Sequence, residues 1–168
     1  FFNIGVSAWA TVMGESVVAL NQDATSIHYN PAIVAQLDQT EISVSQIQWP
    51  ADIFYDYFSL SHRLKGRHYI GLNGGILHMK PMPETNEYFP DGTGNYFSYQ
   101  DRFLGATYGA KMTDRFSFGV TLKYVAEDLA EYKMSTILMD VGTFYWTGYG
   151  SLRFCASLSN FCLLYTSP

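Results

Sequence analysis

Phe116-Ser117-Phe118-Gly119-Val120-Thr121-Leu122-Lys123-Tyr124 alternates without a break. Phe116, Phe118, Val120, Leu122 and Tyr124 fall on one face, and Ser117, Gly119, Thr121 and Lys123 on the other. A period of two belongs to a β-strand, whose successive side chains point to opposite faces. Leu152, Phe154, Ala156 and Leu158 alternate in the same way with Arg153, Cys155, Ser157 and Ser159, and Leu104, Ala106, Tyr108 and Ala110 with Gly105, Thr107, Gly109 and Lys111. The pattern predicts antiparallel strands near 41–49, 53–63, 68–79, 101–111, 116–126, 135–146 and 151–159. The first has the weakest pattern, because its alternation breaks at Gln46. Residues 1–40 do not alternate. They read as short helical turns and loops: Ala8 to Leu20 holds a short helix with Gly14 inside it, and Pro31 opens a helical turn running to Leu37 after a non-helical Asn30.

The connections predict which kind of all-β fold this is. Leu64–Arg67, Met112–Arg115 and Thr147–Gly150 are tight turns, whereas Pro50–Asp52, Lys80–Gln100 and Glu127–Met134 are read as longer loops. In an up-and-down meander, alternate connections lie at the same end. Short turns at one end and longer loops at the other are the habit of outer-membrane barrels. The face opposite the apolar one is Ser, Thr, Gly, Lys and Arg, which suits a polar or plugged lumen. Aromatic groups gather at strand ends, Trp49, Phe54, Tyr55 and Tyr57 at one and Phe144, Tyr145 and Trp146 at another, as at membrane interfaces. The competing reading is a soluble β-sandwich with an aromatic-rich core. About seven strands fall short of the eight of the smallest closed bacterial barrel, so residues 41–160 are expected to be part of a longer barrel. Residues 161–168 drop the alternation and read as an appended tail.

Composition agrees with a chain of this kind. Of 168 residues, 17% are aromatic and only 15% charged, the latter well below the roughly 25% of ordinary soluble domains. That excludes disorder and coiled coil. A net charge of −5 argues against nucleic acid as a partner, because phosphate binding draws on clustered Lys and Arg. No run of about 18 apolar residues exists to make a membrane-spanning helix. The chain starts at Phe1 without a Met, so the lack of a leader says nothing about compartment. Cys155 and Cys162 have neither metal-ligand spacing nor a second pair, and read as two unconnected small residues.

The most specific stretch is Asp23-Ala24-Thr25-Ser26-Ile27-His28-Tyr29-Asn30-Pro31-Ala32. It resembles the segment that precedes the barrel in the FadL superfamily of outer-membrane proteins, where an Asp-Ala-Ser-like step runs into an aromatic and then Asn-Pro-Ala. Within that superfamily the PorV/PorQ branch is the more similar. The shared features are Met13-Gly14 with Val17-Val18-Ala19-Leu20, Gln48-Trp49 with Tyr55-Asp56-Tyr57, Pro90-Asp91-Gly92-Thr93-Gly94, and Thr113-Asp114-Arg115 leading into Phe116–Tyr124. The similarity runs from about Gly5 to Phe161; Ile33-Val34 departs from the Gly-Leu that often follows Asn-Pro-Ala. The resemblance implies a 14-stranded transmembrane barrel in the bacterial outer membrane, with this chain supplying an N-terminal hatch (residues 1–40) and the first half of the strands. Asp23, Tyr29, Asn30, Pro31 and Ala32 would then seat or gate the hatch.

No catalytic constellation stands out, so the chain reads as non-enzymatic, with no cofactor and no metal site. Gly5-Val6-Ser7-Ala8-Trp9 lacks the second Gly of a nucleophile elbow. Gly92-Thr93-Gly94 reads as a loop turn rather than a dinucleotide fingerprint. His28, His62, His68 and His78 are scattered, and Glu127, Asp128, Glu131 and Lys133 read as solvated charge. Glu84, Glu87 and Asp91 with Tyr88 and Phe89 make an acidic, aromatic long loop, the best candidate for contact with a partner. Asp140 interrupts an apolar strand and is expected to point into the lumen, where Lys123 or Arg153 can pair with it.

Two functions follow as expectations. The PorV/PorQ resemblance implies a part in type IX-like protein secretion or surface attachment, with outer-membrane lipid, cargo C-terminal domains and secretion subunits as partners. The wider superfamily implies passive transport of long-chain fatty acids or other hydrophobic ligands, with Val17, Val18, Leu20, Ile27 and Ile33 either lining a pocket or packing the hatch to the wall. A soluble β-sandwich binding module is the third reading.

Overall fold

In the computed structural model, which describes residues 4–20, 23–85, 87–90, 92–129 and 132–162, every strand of the main sheet pairs antiparallel with the next. The strands are β1 (Glu41–Trp49), β2 (Ile53–Arg63), β3 (His68–Met79), a two-residue pair β4 (Met82–Pro83) and β5 (Tyr96–Phe97), then β6 (Tyr99–Lys111), β7 (Phe116–Leu129), β8 (Tyr132–Trp146) and β9 (Arg153–Cys162). Seven of them form one sheet in the order β1-β2-β3-β6-β7-β8-β9, and β4-β5 make a small hairpin of their own. Among the described residues β1 and β9 do not pair, so the sheet is open at both edges. The fold is all-β and antiparallel, preceded by short helical turns: α1 (Ala8–Val12) and two 3₁₀ turns, Ala24–His28 and Pro31–Gln36. Ser7 caps α1 by accepting from the Ala10 amide, and Gly14 beyond its end takes a left-handed φ of 62°.

Register decides which side of the sheet is which. Val44, Phe58, Gly74, Leu104, Tyr124 and Ile137 stand opposite one another across six strands. Ile42, Leu60, Leu72, Ala106, Leu122 and Met139 form the next such row on the same face. These are not core residues: Val44 is 78% exposed, Leu104 52%, Leu122 51% and Tyr124 55%. The buried side chains are on the other face, where Ser59, Ser61, Asn73, Thr107, Ser117, Thr121, Lys123 and Asp140 lie beneath the N-terminal turns. Over these rows the sheet is therefore apolar on its outer face and polar on its inner one.

The polar interior does not extend to both ends. Toward the β3–β6 connection the inner face turns aromatic, with Tyr55, Tyr57, Leu77, Phe103, Val125 and Leu138 packed around Val6. Tyr55 and Tyr57 are 1% exposed and Phe144 is 4%, so three of the side chains expected at an outer aromatic girdle point inward. Side-chain period explains this: Phe54 and Phe58 take the outer positions of β2, which turns Tyr55 and Tyr57 inward.

The tight turns at 64–67, 112–115 and 147–150 are present, closed by bonds such as Leu64 N–H to His68 O (2.9 Å) and Met112 N–H to Phe116 O (2.9 Å). At the other end only one connection is long. Pro50–Asp52 is a single 3₁₀ turn with Ala51 and Asp52 at positive φ. The expected loop over 127–134 is mostly strand, because Glu127, Asp128 and Leu129 stay in register with Met134, Lys133 and Tyr132, and Arg102 reaches Asp128 at 3.7 Å from β6. β9 also runs on to Cys162, so Phe161 and Cys162, assigned to the tail by sequence, pair with Met139 and Leu138 past a bulge between Met139 and Val141.

Lys123 and Asp140, neighbours on β7 and β8, form an ion pair with side chains 2% and 1% exposed. The Asp140 carboxylate also accepts from the Asn160 amide at 2.7 Å, at the bulge, where Asn160 has φ 60°. Breaking one side of a buried pair strands a charge. Lys123→Met is expected to lower stability in urea unfolding by about 3–5 kcal/mol, and Lys123→Met with Asp140→Leu to recover most of that loss.

Candidate functional site

The side chains singled out by sequence meet where the N-terminal turns sit on the inner wall. Asp23 caps the first 3₁₀ turn, its carboxylate accepting from the Thr25 amide (2.8 Å) and hydroxyl (2.5 Å). Asn30 caps the second. Its Oδ1 accepts from the Ala32 amide at 3.0 Å, and its Nδ2 donates both to Val18 O at 3.0 Å and to Thr143 O on β8 at 3.1 Å. Asn30 is fully buried, so one side chain ties two hatch segments to the wall and leaves no donor unused. Pro31 at the first helical position has no N–H to satisfy and a φ already suited to the turn. Pro31 to Ala35 are all buried.

What lies under them is a row without side chains. Gly109, Gly119 and Gly142 stand opposite one another on β6, β7 and β8. A Cβ on Gly119 would overlap the Pro31 carbonyl, one on Gly142 would overlap the Asn30 amide and stand 2.9 Å from Pro31 Cδ, and one on Gly109 would overlap Val34. The hatch backbone rests directly on the wall at Gly119, and the Asn30 and Val34 side chains do so at Gly142 and Gly109. This track escaped the sequence reading. Its signal was the inner parity of three glycines on adjacent strands, visible only once register is known.

Around this seat the hatch is tied strand by strand. Gln36 Nε2 donates to Ser117 Oγ on β7 (2.5 Å), Ser45 Oγ on β1 donates to Val6 O (2.5 Å), and Lys111 Nζ on β6 meets Asp38 at 3.2 Å. Arg153 reaches Ala19 O at 3.5 Å and lies 5.8 Å over the Phe144 ring rather than pairing with Asp140. The Tyr29 hydroxyl accepts from the Val6 amide at 3.0 Å. Burial raises its pKa above the ordinary tyrosine value, against the pull of that N–H bond. Ile27 packs with Val34 and Tyr69, and Ile33 with Ala32 and Phe144. Of the two roles open to these apolar residues, they fill the one of packing the hatch to the wall.

In the long loop Glu84 is exposed, and its carboxylate accepts from Thr93 Oγ1 and Asn95 Nδ2, each at 3.1 Å, holding the β4–β5 hairpin. Glu87, Tyr88 and Phe89 are exposed, Tyr88 by 84%. Asp91 lies outside the described residues. A groove of about 360 Å³ opens on the outer apolar face between Phe58, Ile76, Leu104 and Tyr124, and a polar cavity of about 180 Å³ lies between hatch and wall beside Glu15, His28, Tyr29 and Lys123.

Among the described residues no three His, Cys, Asp or Glu side chains are grouped to hold a metal. His62 bonds Thr40 (2.7 Å), His68 bonds Tyr108 (2.6 Å) and His78 bonds Asp56 (3.1 Å). Cys155 carries a free thiol, and Cys162 Sγ lies 3.5 Å from Thr136 Oγ1. The arrangement is suited to holding the N-terminal segment in place. No family model matches the chain, and no curated protein matches it.

Two substitutions test the seat. Asn30→Ala leaves the Val18 and Thr143 carbonyls and the Ala32 amide without their partner and is expected to cost about 2–4 kcal/mol. Gly119→Ala forces a methyl into the Pro31 backbone and is expected to cost about 1–3 kcal/mol. Limited proteolysis separates these effects from a general loss of fold: in both variants the hatch peptide bonds are expected to be cut before those of the sheet.

Proposed function

We propose that this chain is the hatch and the leading strands of a non-enzymatic bacterial outer-membrane β-barrel of PorV/PorQ type, taking part in type IX-like secretion or surface attachment of cargo proteins. The observation that carries the membrane part is the inversion of the sheet. Rows of Val, Leu, Ile and Tyr face outward, while a buried Lys–Asp pair, serines, threonines and a hydrogen-bonded hatch occupy the inside. A soluble sandwich would need a second sheet over the apolar face; the inner face is covered by the hatch and the outer face by nothing among the described residues. The dimensions fit as well. Outer apolar positions on β7 run from Phe116 to Tyr124, about 27 Å along a strand, which at a tilt of roughly 40° spans most of the ~25 Å apolar band of an outer-membrane barrel.

The secretion role rests on the ordered motifs quoted for the PorV/PorQ branch and on the exposed Glu87-Tyr88-Phe89 tip, placed on a hairpin that its own hydrogen bonds hold rigid. Partners would be cargo C-terminal domains and secretion subunits. Transport of a fatty acid through the lumen is the weaker reading, because Ile27 and Ile33 are spent on packing the hatch to the wall.

The test is membrane fractionation of the protein expressed from its whole gene, with heat-modifiable gel mobility, followed by a pull-down in mild detergent. A heat-shifted outer-membrane band that captures secreted proteins by their C-terminal domains supports the proposal; a soluble band without a shift overturns it. Leu122→Arg sharpens the membrane part. At mid-bilayer it is expected to cost about 2–4 kcal/mol, whereas on a water-facing surface the change stays within about 0.5 kcal/mol.

A further inference from the structure

The two ends of the sheet carry opposite charge. Residues 62–68, 111–116 and 146–152, the tight-turn end, hold five basic side chains (Arg63, Lys65, Arg67, Lys111 and Arg115) and a single carboxylate, Asp114. At the opposite end, in 50–53, 79–100 and 127–134, the described residues hold five carboxylates (Asp52, Glu84, Glu87, Glu127 and Asp128) and two lysines. Ion pairing removes only part of the basic charge. Arg63 and Lys111 turn inward onto Asp38 of the hatch, at 4.0 and 3.2 Å, and lie over the Tyr69 ring. Arg67 meets Asp114 at 2.9 Å. Arg115 donates to Thr147 O at 3.4 Å, and Lys65 makes no ion pair among the described residues. These charges sit beside exposed apolar side chains at the same turn tips: Leu64, Met112 and Tyr149 are 42%, 62% and 85% exposed. Just behind them on the outer face, His68 and Tyr108 stack on each other.

A basic rim interleaved with apolar and aromatic tips, at the border of an exposed apolar sheet face, has the chemistry of a lipid headgroup contact. We infer that the tight-turn rim, through Lys65, Arg67 and Arg115, binds the phosphate headgroups of anionic glycerophospholipids and so fixes this end of the sheet in the leaflet that contains them. The acidic opposite rim repels the same headgroups, which makes the preference directional. This inference rests on the membrane reading above and adds to it a ligand class and an orientation.

The test uses the protein expressed from its whole gene, folded into vesicles of phosphatidylcholine with one-fifth phosphatidylglycerol. It is then extracted in mild detergent, and the retained lipids are counted by native mass spectrometry. Retention of phosphatidylglycerol over phosphatidylcholine is expected. In Lys65→Gln/Arg115→Gln, whose heat-modifiable mobility should be unchanged, that preference is expected to fall roughly tenfold. Equal retention of both lipids, or a preference that survives the double variant, overturns the headgroup site and leaves the membrane reading standing. Failure to enter vesicles of either composition overturns both.

Discussion

Direct contact between hatch backbone and wall backbone is the constraint on which the rest depends. The 3₁₀ turn Pro31–Gln36 lies close on β6, β7 and β8: at Gly119 the Pro31 carbonyl meets the strand backbone, and at Gly142 and Gly109 the Asn30 and Val34 side chains fill the space a Cβ would take. Close approach makes the other contacts possible. At this distance the Asn30 amide can reach the Thr143 carbonyl and Gln36 can reach Ser117. The first turn then brings Ile27 against Gly71. With the inner face taken up by a segment rich in backbone polar groups, small and hydroxylated wall residues are favoured over bulky apolar ones. Where the second turn covers the sheet, Val120, Leu122, Leu72 and Ala106 are left the outside. The inverted sheet and the seated hatch are thus one arrangement seen from two sides.

Lys123 and Asp140 belong to the same arrangement. A lysine and an aspartate that are almost wholly buried in a wall would be costly alone. They are supported by neighbouring strands in register and by the Asn160 amide at the bulge. The pair does more than neutralise charge: it anchors the point at which β9 departs from regular pairing with β8. A bulge placed there raises local twist, and the carboxylate fixes which residue of β9 carries it.

Much of this was legible from residue order. Strands at 41–49, 53–63 and 68–79 fall where alternation and turn residues put them, because period and punctuation are local properties. Asn30-Pro31-Ala32 announced a capped turn for the same reason, and the inward aspect of Asp140 followed from its parity among apolar neighbours. What was hidden depends on partners distant in sequence. The glycine track needs the register of three strands, and the inward turn of Tyr55 and Tyr57 needs to know which face of β2 is covered. The continuation of β7 to Leu129 and of β8 back to Tyr132 needs the register between the two strands. The bonds from Thr93 and Asn95 to Glu84 were hidden as well, because they depend on how the loop folds back on itself.

The exposed apolar face bears on timing. A sheet with an oily exterior invites adhesion wherever it lingers in water. Its safety in an aqueous compartment is then a matter of how briefly it stays there, or of what escorts it. The N-terminal turns cover the inner face alone, so pre-assembly of the hatch does nothing for the outer one.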